Sequence, residues 1–197
     1  MRYNSFMKQF WIVMVSMVWF SIVIMGVEER PYTVIKQDGK IEIRDYQRVV
    51  SAEVTTMGDR GEAASDAFRI LVRFIQGQNT DQSSIAMTAP VSQSRAVDQG
   101  WNVSFFMPNH MNLDKVPDPI DSRIRIKELT GTYYAAIRFS GFSSRHNLAK
   151  HEVKLRDYLV KHEYDFVDKP TYAFYNPPYV PPFFRRNEVL FEIIKTL

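Results

Sequence analysis

Asp38-Gly39-Lys40-Ile41-Glu42-Ile43-Arg44-Asp45-Tyr46, residues 38–46, reads as a hairpin turn followed by a strand. Asp-Gly between two alternating runs is a strong two-residue hairpin signal, and here the runs begin at Tyr32 and Lys40. Ile41 and Ile43 share one face of the strand while Glu42 and Arg44 take the other, so the pattern predicts a strand with one buried side. The chain therefore opens its folded part as an antiparallel sheet.

Working outward, 48–55 reads as the next strand. Ala64, Ala67, Phe68, Leu71, Val72 and Ile75 then recur at helical spacing, with Gly77 as the stop, which predicts a helix over 62–76. Strands are expected at 85–91, 101–107, 123–129 and 132–139. Ser143 or Ser144 caps a second helix whose stripe is Leu148, Leu155 and Leu159, running to about His162. Strands near 171–175 and 188–194 close the chain. The order is strand, strand, helix, strand, strand, stated twice: an α+β fold in two structural halves, with no sequence identity between the halves to prove a repeat.

Ahead of the folded part, Arg2 and Lys8 precede an uncharged apolar stretch at 10–27, and Glu28 and Glu29 follow it. About 18 residues of helix rise about 27 Å, close to the hydrocarbon thickness of a bilayer. The stretch is apolar all round and ends Ile24-Met25-Gly26-Val27 without an A-x-A pattern, so a retained anchor is preferred to a cleaved signal. The expected organisation is a short cytoplasmic N-terminus at 1–9, a transmembrane signal anchor (or uncleaved signal) at 10–27 and one domain at 28–197. The positive flank puts that domain outside the cytoplasm, in the periplasm of a Gram-negative source, or secreted if the segment is cut.

Composition narrows the function classes. Apolar residues make up 45% of the chain and charged ones 24%, which describes a packed domain. A net charge of +3 with dispersed Lys and Arg argues against nucleic acid as a partner. The absence of cysteine excludes disulfides, thiolate ligands, covalent C-x-x-C-H haem attachment and a Cys nucleophile. The histidines are His110, His146, His151 and His162, and the helical pair His151 and His162 stands roughly 16 Å apart, too far to share a metal. His110, in an irregular loop, is free to approach a ligand. No G-x-S-x-G elbow or phosphate-binding glycine loop is present, and Glu42 and Asp45 point to opposite faces of their strand; no catalytic residue is assigned.

The helix at 62–76 is more informative. Its buried face is edged by Phe68 and Val72, with Arg69 and then Arg73 further round. An apolar lip beside cations suits an amphiphilic anion such as a porphyrin, whose carboxylates pair well with the planar Arg fork.

Ile85-Ala86-Met87-Thr88-Ala89-Pro90-Val91, after a helix ending in Gln76-Gly77-Gln78-Asn79, resembles the central signature of the SOUL and haem-binding protein family. Further matches come in order: Tyr32, Glu42-Ile43-Arg44-Asp45-Tyr46, Phe139-Ser140-Gly141-Phe142, Tyr175-Asn176-Pro177-Pro178 and Arg185-Arg186-Asn187-Glu188-Val189. The resemblance covers about 30–197 and implies a distorted antiparallel β-barrel flanked by two helices, related to effector-binding domains of some bacterial regulators. It also implies a non-covalent haem or other tetrapyrrole held in a shallow groove along the first helix. Groove positions carried over are Ser65, Phe68, Val72 and Arg73, with Tyr175 expected opposite. Two departures stand out: Phe68 and Val72 replace methionines, and Asp45 replaces a histidine that ligates iron in some members. The remaining axial candidates are Tyr175 and His110.

The expectation is thus a membrane-anchored, non-enzymatic tetrapyrrole binder with haem-binding residues Ser65, Phe68, Arg69, Val72, Arg73 and Tyr175. The competing reading is a module for another amphiphile or a protein partner on the same fold.

Overall fold

A computed structural model of the chain describes residues 27–194. Among these no helix is long and apolar enough to cross a membrane. The expected anchor at 10–27 lies, but for Val27, outside the described residues.

The strands are β1 (Glu28–Glu29), β2 (Tyr32–Asp38), β3 (Ile41–Tyr46), β4 (Val49–Thr56), β5 (Thr88–Ala89), β6 (Val91–Arg95), β7 (Trp101–Phe106), β8 (Ile124–Leu129), β9 (Thr132–Phe139), β10 (Thr171–Phe174) and β11 (Asn187–Glu192). The helices are α1 (Arg60–Ile75) and α2 (Arg145–Lys161). Nine strands form one antiparallel sheet in the order β2-β3-β9-β11-β10-β6-β7-β4-β8. This order reads the two halves about its centre: β6 matches β10, β7 matches β11, β4 matches β9, and β8 and β3 each cross to the flank of the other half. The sheet curls, yet β2 and β8 remain as edges, so the expected barrel is a half-barrel.

Helix α1 starts where the Asp59 carboxylate accepts from the Gly61 and Glu62 amides at 2.7 and 3.1 Å, satisfying donors that have no partner within the helix. It stops at Gly77, whose φ of 106° suits a residue without Cβ. Ala67, Leu71 and Phe74 seat it on β4 and β7. Ser144 caps α2 through the Asn147 amide, and Leu148, Leu155 and Leu159 seat it on β9 and β11. Both helices cover the same, convex side of the sheet. The concave side carries a third cluster of Tyr46, Ala136, Ala173 and Leu190, joined by Tyr32, Tyr134 and Tyr175.

Three expectations change. The hairpin loop is Gly39-Lys40, because Asp38 already pairs with Ile41 and Gly39 takes the positive φ. The stretch 85–91 is not one strand: Ile85 donates its amide to the Ile75 carbonyl, β5 pairs in parallel with β1, and Pro90, lacking an N–H, separates β5 from β6. On β3 both faces are buried, since Arg44 is only 1% exposed.

Candidate functional site

Phe68 and Val72, one turn apart on α1, form the apolar edge that the sequence suggests. Phe68 is 37% exposed and meets Phe105 of β7 edge to face at 5.3 Å, so the core fixes one side of its ring and leaves the other open. Met87, from the signature stretch, is 48% exposed. Ser65 is exposed and bonds its Oγ–H back to the Gly61 carbonyl at 3.0 Å. Arg69 is exposed and pairs with Asp66 one turn away, a contact of the kind that holds a side chain weakly. Arg73 is also exposed, one turn beyond Arg69 and next to Val72 in the chain. Ser65, Phe68, Arg69 and Val72 thus share one side of α1, with Arg73 further round beside Arg69.

Tyr175 lies elsewhere. It follows β10 on the concave face, whereas α1 covers the convex one, so it does not stand across a groove from Phe68. Its hydroxyl donates to Glu188 Oε2 at 3.0 Å and the Arg186 guanidinium stacks 3.6 Å from its ring centre. Burial, followed by the Glu188 carboxylate, drives its pKa far above that of a free phenol, which opposes the tyrosinate form that ligates iron. His110 is exposed in the loop after β7, next to Asn109, whose amide donates to Glu28. His151 stacks on Phe139 at 4.0 Å and donates its Nδ1–H to the Asn147 carbonyl, and His162 lies against Tyr158. No group of residues suited to a metal ion occurs among the described residues.

Sequence reasoning missed the polar centre of the concave face. Arg44 holds Glu188 through two bonds, Nη1 to Oε2 at 2.6 Å and Nη2 to Oε1 at 2.9 Å. By register the pair spans β3 to β11 across Ala136 of β9, whose small side chain leaves the room. Glu42 and Tyr46 take two more donors of Arg44, at Nε and Nη1, and Arg186 adds a bond from Nε to Glu188 at 3.0 Å. Burial pushes the Glu188 carboxyl up, but Arg44 and Arg186 outweigh it and hold it below the usual value. The signal lay in the E-I-R and R-R-N-E stretches, whose charges only make sense once paired. The signature at 85–91 is equally structural: Thr88 bonds the Phe106 carbonyl at 2.6 Å, and the fully buried Asn79 ties the Phe74 and Ser83 carbonyls together.

The family model described as SOUL heme-binding protein matches residues 27–192. The chain belongs to the SOUL heme-binding protein family. Among its curated relatives in that family, human Heme-binding protein 2 is 32% identical over 162 residues, covering 78% of each chain. Heme-binding protein 1 of Xenopus tropicalis is 26% identical over 178 residues, covering 84% of this chain and 92% of the relative. Solved structures share the fold of this SOUL domain alone. The C-terminal domain of EcmrR aligns with a TM-score of 0.60 at 9% identity, covering 84% of this chain and 99% of that one. A hydrolase from Listeria innocua aligns with a TM-score of 0.56 at 10% identity, covering 81% and 94%.

Proposed function

We propose that this SOUL-family chain binds haem or another tetrapyrrole reversibly and without covalent attachment, on the Phe68 edge of α1, and performs no catalysis. The observation that carries the reading is the half-exposed Phe68 ring beside a weakly held Arg69. A flat apolar macrocycle needs the former, and its propionates need the latter. The residues fit the group: Phe68 and Val72 offer apolar contact and Arg69 a charge-assisted bond, while Ser65 leaves the surface open above Gly61. Haem would supply its own redox and spectroscopic chemistry; the chain's part is to hold the ring. The apolar segment 10–27 anchors the domain in a membrane, on the non-cytoplasmic side by the charges that flank it.

None of Ser65, Phe68 or Val72 ligates iron, Asp45 stands where a histidine serves in some relatives, and the Tyr175 hydroxyl is committed to Glu188. His110 is the remaining axial candidate. This favours recognition of the ring face over the metal, so iron-free protoporphyrin is expected to bind within about threefold of haemin, a difference under 1 kcal/mol. Titrating both into the full chain, with Phe68→Ala, Arg69→Ala and His110→Ala variants, tests the reading. Saturable one-to-one binding weakened about tenfold by Phe68→Ala supports it. A large preference for haemin lost in His110→Ala makes the site an iron-ligating one, and binding unaffected by every α1 variant rejects it.

A further inference from the structure

Arg30, between β1 and β2, is only 8% exposed, and no carboxylate pairs with it among the described residues. Its Nε and Nη2 both donate to the Gln47 carbonyl, at 3.3 and 3.1 Å. Its guanidinium lies between two rings, 4.7 Å from the centre of Tyr46 and 5.6 Å from that of Phe106. A buried cation with neutral partners alone is costly, and every other strongly buried charge here is answered: Arg44 and Glu188 have each other. Arg30 also lines a cavity of about 140 Å³ on the concave face, shared with Tyr46, Ser104, Phe106, Tyr134 and Leu190.

We propose that this cavity is a binding site for a small monocarboxylate, with Arg30 as its counter-ion. The site lies on the side of the sheet away from α1 and goes beyond the tetrapyrrole reading. Nη1 is the guanidinium nitrogen not engaged by Gln47. The Tyr46 hydroxyl accepts from Arg44 at 2.8 Å, which leaves its own hydrogen to donate. The Tyr134 phenol interacts with Arg30 and is likewise a neutral donor. Burial, before any charge effect, raises Tyr46 to about 12, so its hydroxyl keeps its proton at neutral pH. One cation and two phenols match one carboxylate in charge and in donors. Glu53, at the far end of the cavity, is already answered by Lys127 at 2.6 Å and adds negative charge, which disfavours a doubly charged phosphate. Phe106 and Leu190 supply walls for a compact apolar body.

The test is calorimetric titration of the full chain, without haemin, by benzoate, by its neutral analogue benzamide and by inorganic phosphate. Expected are saturable benzoate binding, at least tenfold weaker benzamide binding, and loss of benzoate binding in Arg30→Met. Arg30→Met is also expected to melt no lower than the parent, because it removes an unanswered buried charge; a lowered melting temperature marks Arg30 as a strut for Gln47 and overturns the proposal. Tyr134→Phe, which keeps the ring and the Arg30–Gln47 contact, is expected to weaken benzoate binding several-fold, and unchanged binding in it overturns the proposal. Benzoate failing to bind, benzamide binding equally, or phosphate binding tighter each overturns it. Because haemin is absent, failure here leaves the α1 reading standing, and failure of the α1 titration leaves this one standing.

Discussion

Replacing Glu188 by Ala removes the acceptor of four bonds at once: two from Arg44 at 2.6 and 2.9 Å, one from Arg186 at 3.0 Å and one from Tyr175 at 3.0 Å. Arg44 is then left buried with Glu42 as its remaining carboxylate, at 2.7 Å. Breaking a buried pair from one side costs about 3–5 kcal/mol, and the surviving Glu42 contact places this case near about 3. For a domain of this size that lowers the melting temperature by about 6–12 °C and removes a large part of a total stability of about 5–15 kcal/mol. Urea unfolding is the assay, with the midpoint falling and the slope unchanged. Arg44→Met combined with Glu188→Leu regains most of the loss, since both desolvated charges go together, and the cycle shows a coupling of at least about 1.5 kcal/mol. A loss below about 1 kcal/mol for Glu188→Ala, the size of a surface pair, refutes the view that this cluster ties β3 to β11.

The same carboxylate sets an acid limit. Its folded pKa lies below its unfolded one, so its stabilisation is complete above the ordinary Glu value of about 4.3 and fades as pH falls through the folded value; Glu188→Gln flattens the stability profile below about pH 4, checked by melting curves across pH. Asp59→Ala removes the α1 cap and lowers the urea midpoint, with Asp59→Asn close to the parent. Asn79→Ala frees the Phe74 and Ser83 carbonyls of a fully buried side chain and costs about 2 kcal/mol, read by the same unfolding experiment.

Local pattern carried most of the fold. Both helices and the succession of strands along the chain follow from spacing, with Ser144 at the start of α2 and Gly77 at the stop of α1, whereas the Asp59 cap, three residues ahead of the apolar pattern, was not read. The errors fall where distant partners decide. Arg44 looked like an exposed strand residue because its counter-ion is 144 residues away, and Tyr175 was placed opposite α1 because nothing local says which face of a curled sheet a residue after β10 takes. The alternation in β3 put the polar face in solvent, whereas the curl of the sheet encloses it. Ile85 to Val91 looked like a strand because its apolar run hides the work of Pro90 as a break between two short pairings. On α1, Phe68, Val72, Arg69 and Arg73 were legible from helical spacing, because one helix decides their relative positions without a distant partner. Arg30 gave no signal at all, since a lone Arg before a strand is ordinary until its burial is known.

Amide chemical-shift mapping of the full chain with iron-free protoporphyrin, which avoids the broadening that a paramagnetic iron brings, tests the central claim most directly. The account predicts shifts concentrated on residues 64–72 of α1 and on Met87, with Tyr175 and the Arg44–Glu188 cluster unmoved. Shifts confined to the concave face, or spread evenly with no focus on α1, contradict it.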